Sequence, residues 1–516
     1  MSSLPSFLAA ASGPRGPSHD QRAACRAALA GAVALAVALG VGRFAFTPLL
    51  PLMLAGGELD IRHGGWLASA NYAGYFVGAM TCARIAVDPA RMVRAGLAAT
   101  VLLTFAMGLA SPFWVWALVR FVGGAVSAWT FVFASQWGLR RVVEHGAPAW
   151  GGVIYTGPGI GIVATGLIGF ALAGRHAALG WIGFAAASAV LTAFVWRAFG
   201  AAGAGTDGGQ SRGGAKRAGD GVGVADAAGR AGERLAAGAT GATGAAEGAE
   251  AVADAVSAAN VADTADTANS ANSANSANSA NSANSANSAT ATAERNSPVA
   301  GVAGQHGAMA APAARAPHVE SAAARRDAFW LVLLYGLPGF GYIITATFLP
   351  VIARAALPAH SRWPDLFWPM FGAALIAGAL LGARLPSGWD NRLLLGACCA
   401  VQALGVALGI VWPTAPGFAL GSALVGLPFT AITLFAMREA RRLRGERAAG
   451  LMGYATASYG VGQIAGPLAA APLAAHAGSF SPALWLAATM LAVGAAGFAA
   501  VALRAWRAKT RGGGVG

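Results

Sequence analysis

Residues 40–51 read Gly40-Val41-Gly42-Arg43-Phe44-Ala45-Phe46-Thr47-Pro48-Leu49-Leu50-Pro51, and residues 339–350 read Gly339-Phe340-Gly341-Tyr342-Ile343-Ile344-Thr345-Ala346-Thr347-Phe348-Leu349-Pro350. An offset of 299 (339 minus 40) superimposes both glycines, the leucine and the closing proline. The repeat extends further along the chain. Ala83-Arg84 recurs as Ala383-Arg384 at an offset of 300, and Gly124 and Phe133-Ala134 recur as Gly426 and Phe435-Ala436 at 302. Matches in one order at a nearly constant offset indicate an internal duplication. Such symmetry is the mark of membrane proteins that alternate between two accessible states around a site at the repeat interface.

Both stretches lie inside long apolar runs. The chain has 516 residues, 56% hydrophobic and 11% charged, with a mean hydropathy of +0.56. About a quarter of a soluble domain is charged, so these residues are too few to keep a globule in water. Runs long enough for a bilayer-spanning helix, roughly 18–20 residues, fall at 27–54, 64–86, 93–111, 112–138, 149–172 and 176–199 in the first half. The second half gives 328–353, 366–386, 392–412, 415–437, 450–475 and 481–505. Twelve spans in two sixes are expected, an all-α integral membrane protein, with Pro112 opening the fourth span as proline does at a helix start. The first run is too long for a signal-peptide core and reads as an uncleaved span.

Arginines orient the chain. Arg84, Arg91, Arg94, Arg140, Arg141, Arg384, Arg392, the group Arg438 to Arg447 and the tail from Arg504 fall on the side of the termini; Arg62, Arg175, Arg354 and Arg362 fall opposite. The positive-inside rule therefore places both termini and the central loop in the cytoplasm, and an inner (plasma) membrane location is expected. Trp66, Trp114, Trp181 and Trp412, near run ends, fit an interfacial belt. The net charge of +14 is spent on these topology signals, so no nucleic acid partner is expected. The four cysteines have no metal-like spacing, and neither metal nor cofactor is expected.

Residues 200–327 are dominated by Gly, Ala, Ser, Asn and Thr, with an Ala-Asn-Ser triplet repeated from Ala268 to Ser288. Nothing there offsets the entropy of ordering, so a disordered cytoplasmic linker is expected between a 27–199 bundle and a 328–505 bundle. Residues 1–26 and 506–516 read as cytoplasmic tails.

Two six-helix halves joined by a cytoplasmic loop resemble the major facilitator superfamily. Asp88 with Arg91, and Asp390 with Arg392, resemble worn forms of its acidic-basic gating signature. Arg120 with Gly124 resembles its helix-4 arginine motif, and Tyr155-Thr156-Gly157-Pro158-Gly159-Ile160-Gly161 its antiporter glycine-proline motif. Residues 42–51, Ser69-Ala70-Asn71-Tyr72-Ala73-Gly74-Tyr75 and residues 339–350 resemble the YbfB/YjiJ branch. The resemblance implies a secondary transporter working by alternating access, with a small-molecule substrate, gating at Asp88, Arg91, Asp390 and Arg392, and activity as a monomer.

Ionisable residues inside a bilayer are costly and mark function. Arg43 and Arg120 are the two within the runs, and no Asp or Glu falls inside one. A substrate anion would supply the missing charge, since a guanidinium fork fits a carboxylate. The alternatives are that Arg43 binds backbone carbonyls near Pro48 and that Arg120 braces its helix against a neighbour. Tyr342, the repeat mate of Arg43, is expected opposite it. Asn71 and Tyr75, one turn apart, are expected to share a role, with Tyr155, Thr345, Tyr459 and Gln463 completing the candidate substrate path; the alternative for the Asn, Thr and Gln residues is hydrogen bonding between helices. With no titratable carboxylate or histidine in a span, three couplings are open: a proton travels on a weak-acid substrate, an edge acid such as Asp60 or Asp327 titrates, or transport is simple facilitation. The first is expected, in the direction of export. A membrane sensor acting through the linker is the competing reading. No nucleophile or phosphate-loop constellation points to an enzyme.

Overall fold

The computed structural model describes residues 19–85, 87–147, 150–200, 322–382, 385–386, 388–445 and 448–512. Most of the 200–327 segment, including the Ala-Asn-Ser repeat, lies outside these residues, as do most of the N-terminal tail, Arg384 and Arg447.

The described residues are helical, with no strand among them. Twelve helical segments follow in order. Span 1 is Asp20–Ala55, span 2 Ile61–Thr81, span 3 Pro89–Leu109, span 4 Phe113–Glu144, span 5 Gly151–Ala171 and span 6 Ala177–Trp196. Span 7 is Ala322–Ala356, span 8 Trp363–Gly382, span 9 Asn391–Val411, span 10 Ala415–Arg444, span 11 Ala448–Ala477 and span 12 Ser481–Gly512. Spans 1 and 7 begin earlier than their apolar runs, at Asp20 and Ala322. Ten of the described helices are long and apolar enough to cross a membrane. Spans 2 and 11 have the length but are diluted by Gly, Ser, Asn, Tyr and Gln.

Local chemistry sets the helix starts. Asp60, Asp88 and Asp390 each accept a hydrogen bond from a backbone N–H of the following first turn, at His63 (2.8 Å), Arg91 (3.0 Å) and Arg392 (2.9 Å), satisfying a donor the helix leaves unpaired. The N–H of His63, with that residue's ring, holds the Asp60 carboxyl below the usual carboxylate range. Pro112 precedes span 4 as its cap residue.

Within each half the spans cross on glycine. A Cβ on Gly78 would lie 2.6 Å from the Ala125 backbone, and one on Gly378, its mate at an offset of 300 (378 minus 78), 1.7 Å from the Leu427 carbonyl oxygen. Both crossings join the second and fourth spans of their half, so the duplication seen in sequence is a duplication of packing.

Buried side chains show how the halves meet. One cluster mixes both halves, with Phe44, Leu49, Tyr72 and Trp181 packed among Tyr342, Phe348, Trp368 and Leu491. Two others are each confined to one half: Leu35, Val93, Phe133 and Ile154 in the first, and Leu334, Phe435, Met452 and Phe498 in the second. The shared cluster lies away from the termini and the separate ones lie toward them. The halves are closed on one side and parted on the other. Trp181 belongs to the shared core and is 2% exposed, so it is not an interfacial residue.

Candidate functional site

Span 1 is not a uniform helix. It runs as α-helix to Leu35, widens to a π-helix over Ala36–Val41, and resumes as α-helix at Phe46. Bonds from Gly42 N–H to Val37 C=O and from Phe44 N–H to Leu39 C=O mark the wide turn, a feature frequent at functional sites. Thr47 N–H then bonds to Phe44 C=O at 3.2 Å and not to Arg43 C=O four residues back. The freed carbonyls of Gly42 and Arg43 accept hydrogen bonds from the Arg120 guanidinium at 3.4 and 3.3 Å. Arg120 therefore braces span 4 against span 1. Arg120, not Arg43, meets the open carbonyls near Pro48.

Relieved of that task, the Arg43 side chain enters a cavity of about 220 Å³ between the halves. The cavity extends from Arg43 and Gln463 toward Gly382, Gly453 and Gly152, near the ends of spans 8, 11 and 5 on the side of the termini. Arg43 is the one charged residue among the described residues lining it. Its guanidinium carbon lies 4.2 Å from the Tyr75 ring centre and 5.0 Å from that of Tyr72. One Nη donates to Gln463 Oε1 at 2.9 Å, and Nε is buried without a hydrogen-bond partner. Gln463 in turn donates from Nε2 to the Tyr342 hydroxyl. The repeat mates Arg43 and Tyr342 thus face each other through one amide.

Aromatic rings form the walls. Tyr342, Tyr459 and Tyr335 stack in sequence with centroid spacings of 5.9 and 4.8 Å, and Phe429 meets Tyr342 edge-on at 5.0 Å. Of the seven tyrosines, 75, 155, 335 and 459 line this cavity, 72 flanks Arg43, and 342 is linked to Arg43 through Gln463. The exception, Tyr454, faces outward. Beyond Arg43 the halves are tied by Thr47 Oγ1 to Ala346 C=O (2.9 Å), Ser69 Oγ to Ile464 C=O (2.8 Å), Tyr72 Oη to Thr347 Oγ1 (3.2 Å) and Arg362 to Phe170 C=O (2.8 Å). Thr47 and Ala346 are themselves repeat mates, 299 residues apart.

The family described as "Uncharacterised MFS-type transporter YbfB" matches residues 35–219 and 282–498. The chain belongs to that family. It is a multi-pass membrane transporter of the major facilitator fold and not an enzyme. A crystal structure of a mutant of the nucleoside transporter NupG has the same fold, with a TM-score of 0.56 at 13% identity, covering 92% of this chain and 99% of that one. No curated protein matches by sequence.

Among the candidate residues of this YbfB-type chain, Arg43, Tyr75, Tyr155, Tyr459 and Gln463 line the cavity, and Tyr342 is held at its closed end. Asn71 does not join Tyr75 there. It is fully buried, and its Nδ2 donates to the Arg120 carbonyl at 2.8 Å. One turn separates the two residues, but Asn71 is short and turns to span 4 while Tyr75 reaches the cavity. Thr345 points away as well, into a small void beside Gly405 and Phe418. Tyr335 and Phe429 are cavity residues not among the candidates. Tyr335 lies two turns before Tyr342 on one face, a spacing of seven that reveals it.

The gating candidates differ. Asp88 and Arg91 are exposed and joined only through the helix cap. Arg392 is 8% exposed and sits between Asp390 (2.8 Å), Asp327 (3.3 Å) and Glu439 (3.7 Å). Glu439 also holds Arg442 at 2.6 Å. Burial alone would raise the Asp390 carboxyl, but the Arg392 hydrogen bonds and charge hold it below the usual range. The expectation that no carboxylate lies inside a span is corrected here. Span 10 continues to Arg444, and Glu439, 1% exposed, is within it.

Proposed function

We propose that the chain is a secondary transporter of a small organic monoanion with a flat apolar body, working by alternating access from the cavity at Arg43. The observation that carries this is a single cation at the closed end of an aromatic cavity between the two repeats. A buried guanidinium without a carboxylate is costly, and an anion arriving from water supplies the charge. Stacked tyrosines offer faces to a planar body. A neutral planar solute would use the rings equally well, but would leave Arg43 uncompensated.

A coupling proton is assigned to the substrate. The described cavity lining holds no carboxylate or histidine, so a weak acid that carries its own proton needs no titratable relay in the protein. The closed side opposite the termini makes this the inward-facing state, given a cytoplasmic location of both termini in the inner membrane. That location is supported by the arginines at the ends of spans 4 and 10. The six-span halves enclose the cavity within one chain, which supports action as a monomer.

The test is counterflow of radiolabelled small carboxylic acids into proteoliposomes. Arg43→Gln is expected to abolish counterflow while the purified variant keeps its melting temperature. Full counterflow by that variant would remove the anion site.

A further inference from the structure

We infer that Gln463 is a built-in stand-in for the substrate carboxylate: its amide oxygen occupies the Arg43 guanidinium until an anion displaces it. This rests on the anion site proposed above and adds the residue that controls its occupancy.

The roles at this contact are fixed by chemistry. A guanidinium can only donate, so the atom of Gln463 facing it at 2.9 Å is the oxygen. The amide nitrogen is then turned to Tyr342, whose hydroxyl oxygen accepts. Gln463 is 5% exposed, and both ends are engaged, one on each half of the molecule. The Arg43 side is incompletely satisfied, because Nε is buried and unpartnered. A neutral amide meets one edge of a fork that a carboxylate would fill with two oxygens.

Energy decides the exchange. A carboxylate sets a full negative charge against the guanidinium where the amide oxygen offers only a dipole, and its two oxygens fit the planar fork, so that it would also reach the vacant Nε. The anion therefore outcompetes the amide, whereas a neutral carboxamide or alcohol gains nothing over Gln463. The residue acts as a charge filter. It also couples occupancy to conformation, because releasing Gln463 breaks the tie between span 1 and span 11 that lies nearest the cavity, leaving those at Thr47, Ser69 and Tyr72 beyond it.

The experiment is calorimetric binding of benzoate, phenylacetate and benzamide to the purified full chain and to Arg43→Gln, Gln463→Ala and Gln463→Glu. Benzoate or phenylacetate, and not benzamide, is expected to bind the wild type. Gln463→Ala should bind the anion about ten- to a hundredfold more tightly, the change expected from removing one competing hydrogen bond to a charged group. Gln463→Glu should lose anion binding while melting no lower than wild type, because the introduced carboxylate fills the guanidinium. Arg43-dependent binding that is weakened in Gln463→Ala would make Gln463 an ordinary ligand and overturn this inference alone. Unchanged binding in Gln463→Glu would do the same. Absence of anion binding to the wild type would overturn the anion site and this inference with it.

Discussion

The two halves share a ground plan and differ where it matters. Each crosses its second and fourth spans on glycine, and each opens its third span with an aspartate cap. Yet the N-terminal half has a widened first span and an arginine at position 43, where the C-terminal half has an unbroken 35-residue helix and Tyr342. Toward the termini the asymmetry reverses. The C-terminal half buries Arg392 among Asp390, Asp327 and Glu439, whereas Asp88 and Arg91 stand exposed. The position matching Glu439 at an offset of 302 (439 minus 137) is Trp137. The unpaired buried arginine at the cavity thus belongs to one half and the buried charge cluster to the other.

The comparison breaks most sharply at positions 43 and 342. Arg43→Gln should lower counterflow by about a hundredfold or more, the scale of losing a buried charged contact. Tyr342→Phe, which keeps the ring and removes only the hydroxyl, should cost about two- to tenfold. Equal losses would mean that the repeats contribute alike. Next in size is stability. Removing one partner of a buried ion pair costs about 3–5 kcal/mol. Glu439→Ala should cost about 2–3, because Arg442 is half-exposed and Arg392 keeps two carboxylates. Denaturant unfolding in detergent measures it, and Trp137→Ala should not perturb the Arg392 cluster.

A smaller difference separates the two caps. Asp88→Ala should cost about 1 kcal/mol as a lost helix cap, and Asp390→Ala more, because its carboxylate also binds the Arg392 guanidinium. The smallest effect is with pH. The Asp390 carboxyl is depressed in the folded chain, so its contribution is complete above the unfolded value of about 4 and is lost as pH falls through the lower folded value. Asp390→Asn should flatten the acid limb of stability below about pH 4; an unaltered limb would count against the clamp.

Much of this plan was legible because hydropathy and arginine placement act over whole spans. The count of twelve and the repeat at 40–51 and 339–350 needed no side-chain geometry. The division of labour between Arg43 and Arg120 did. Both are buried cations in apolar helices, and only the irregular turn of span 1, whose carbonyls Arg120 binds, separates the brace from the residue that lines the cavity. Glu439 was hidden because the apolar run ends at Met437 and basic residues follow. The helix continues there because the charges are paired. Asn71 and Tyr75 share a face by periodicity, but side-chain length sends them to different neighbours.

Spans 2 and 11 carry a consequence for how the protein is made. Each owes its place to the other: Gly65 lies against Ala471 and Pro467, Ser69 bonds to Ile464, and Gly460 abuts Phe76. Neither is greasy enough to be released comfortably into lipid alone. Span 2 leaves the ribosome 387 residues (448 minus 61) before its partner begins. During that interval its glycine face is sheltered by span 4 and its other face waits. Insertion must then be completed by the second half, so a nascent chain truncated before span 11 is the form that membrane quality control should meet first.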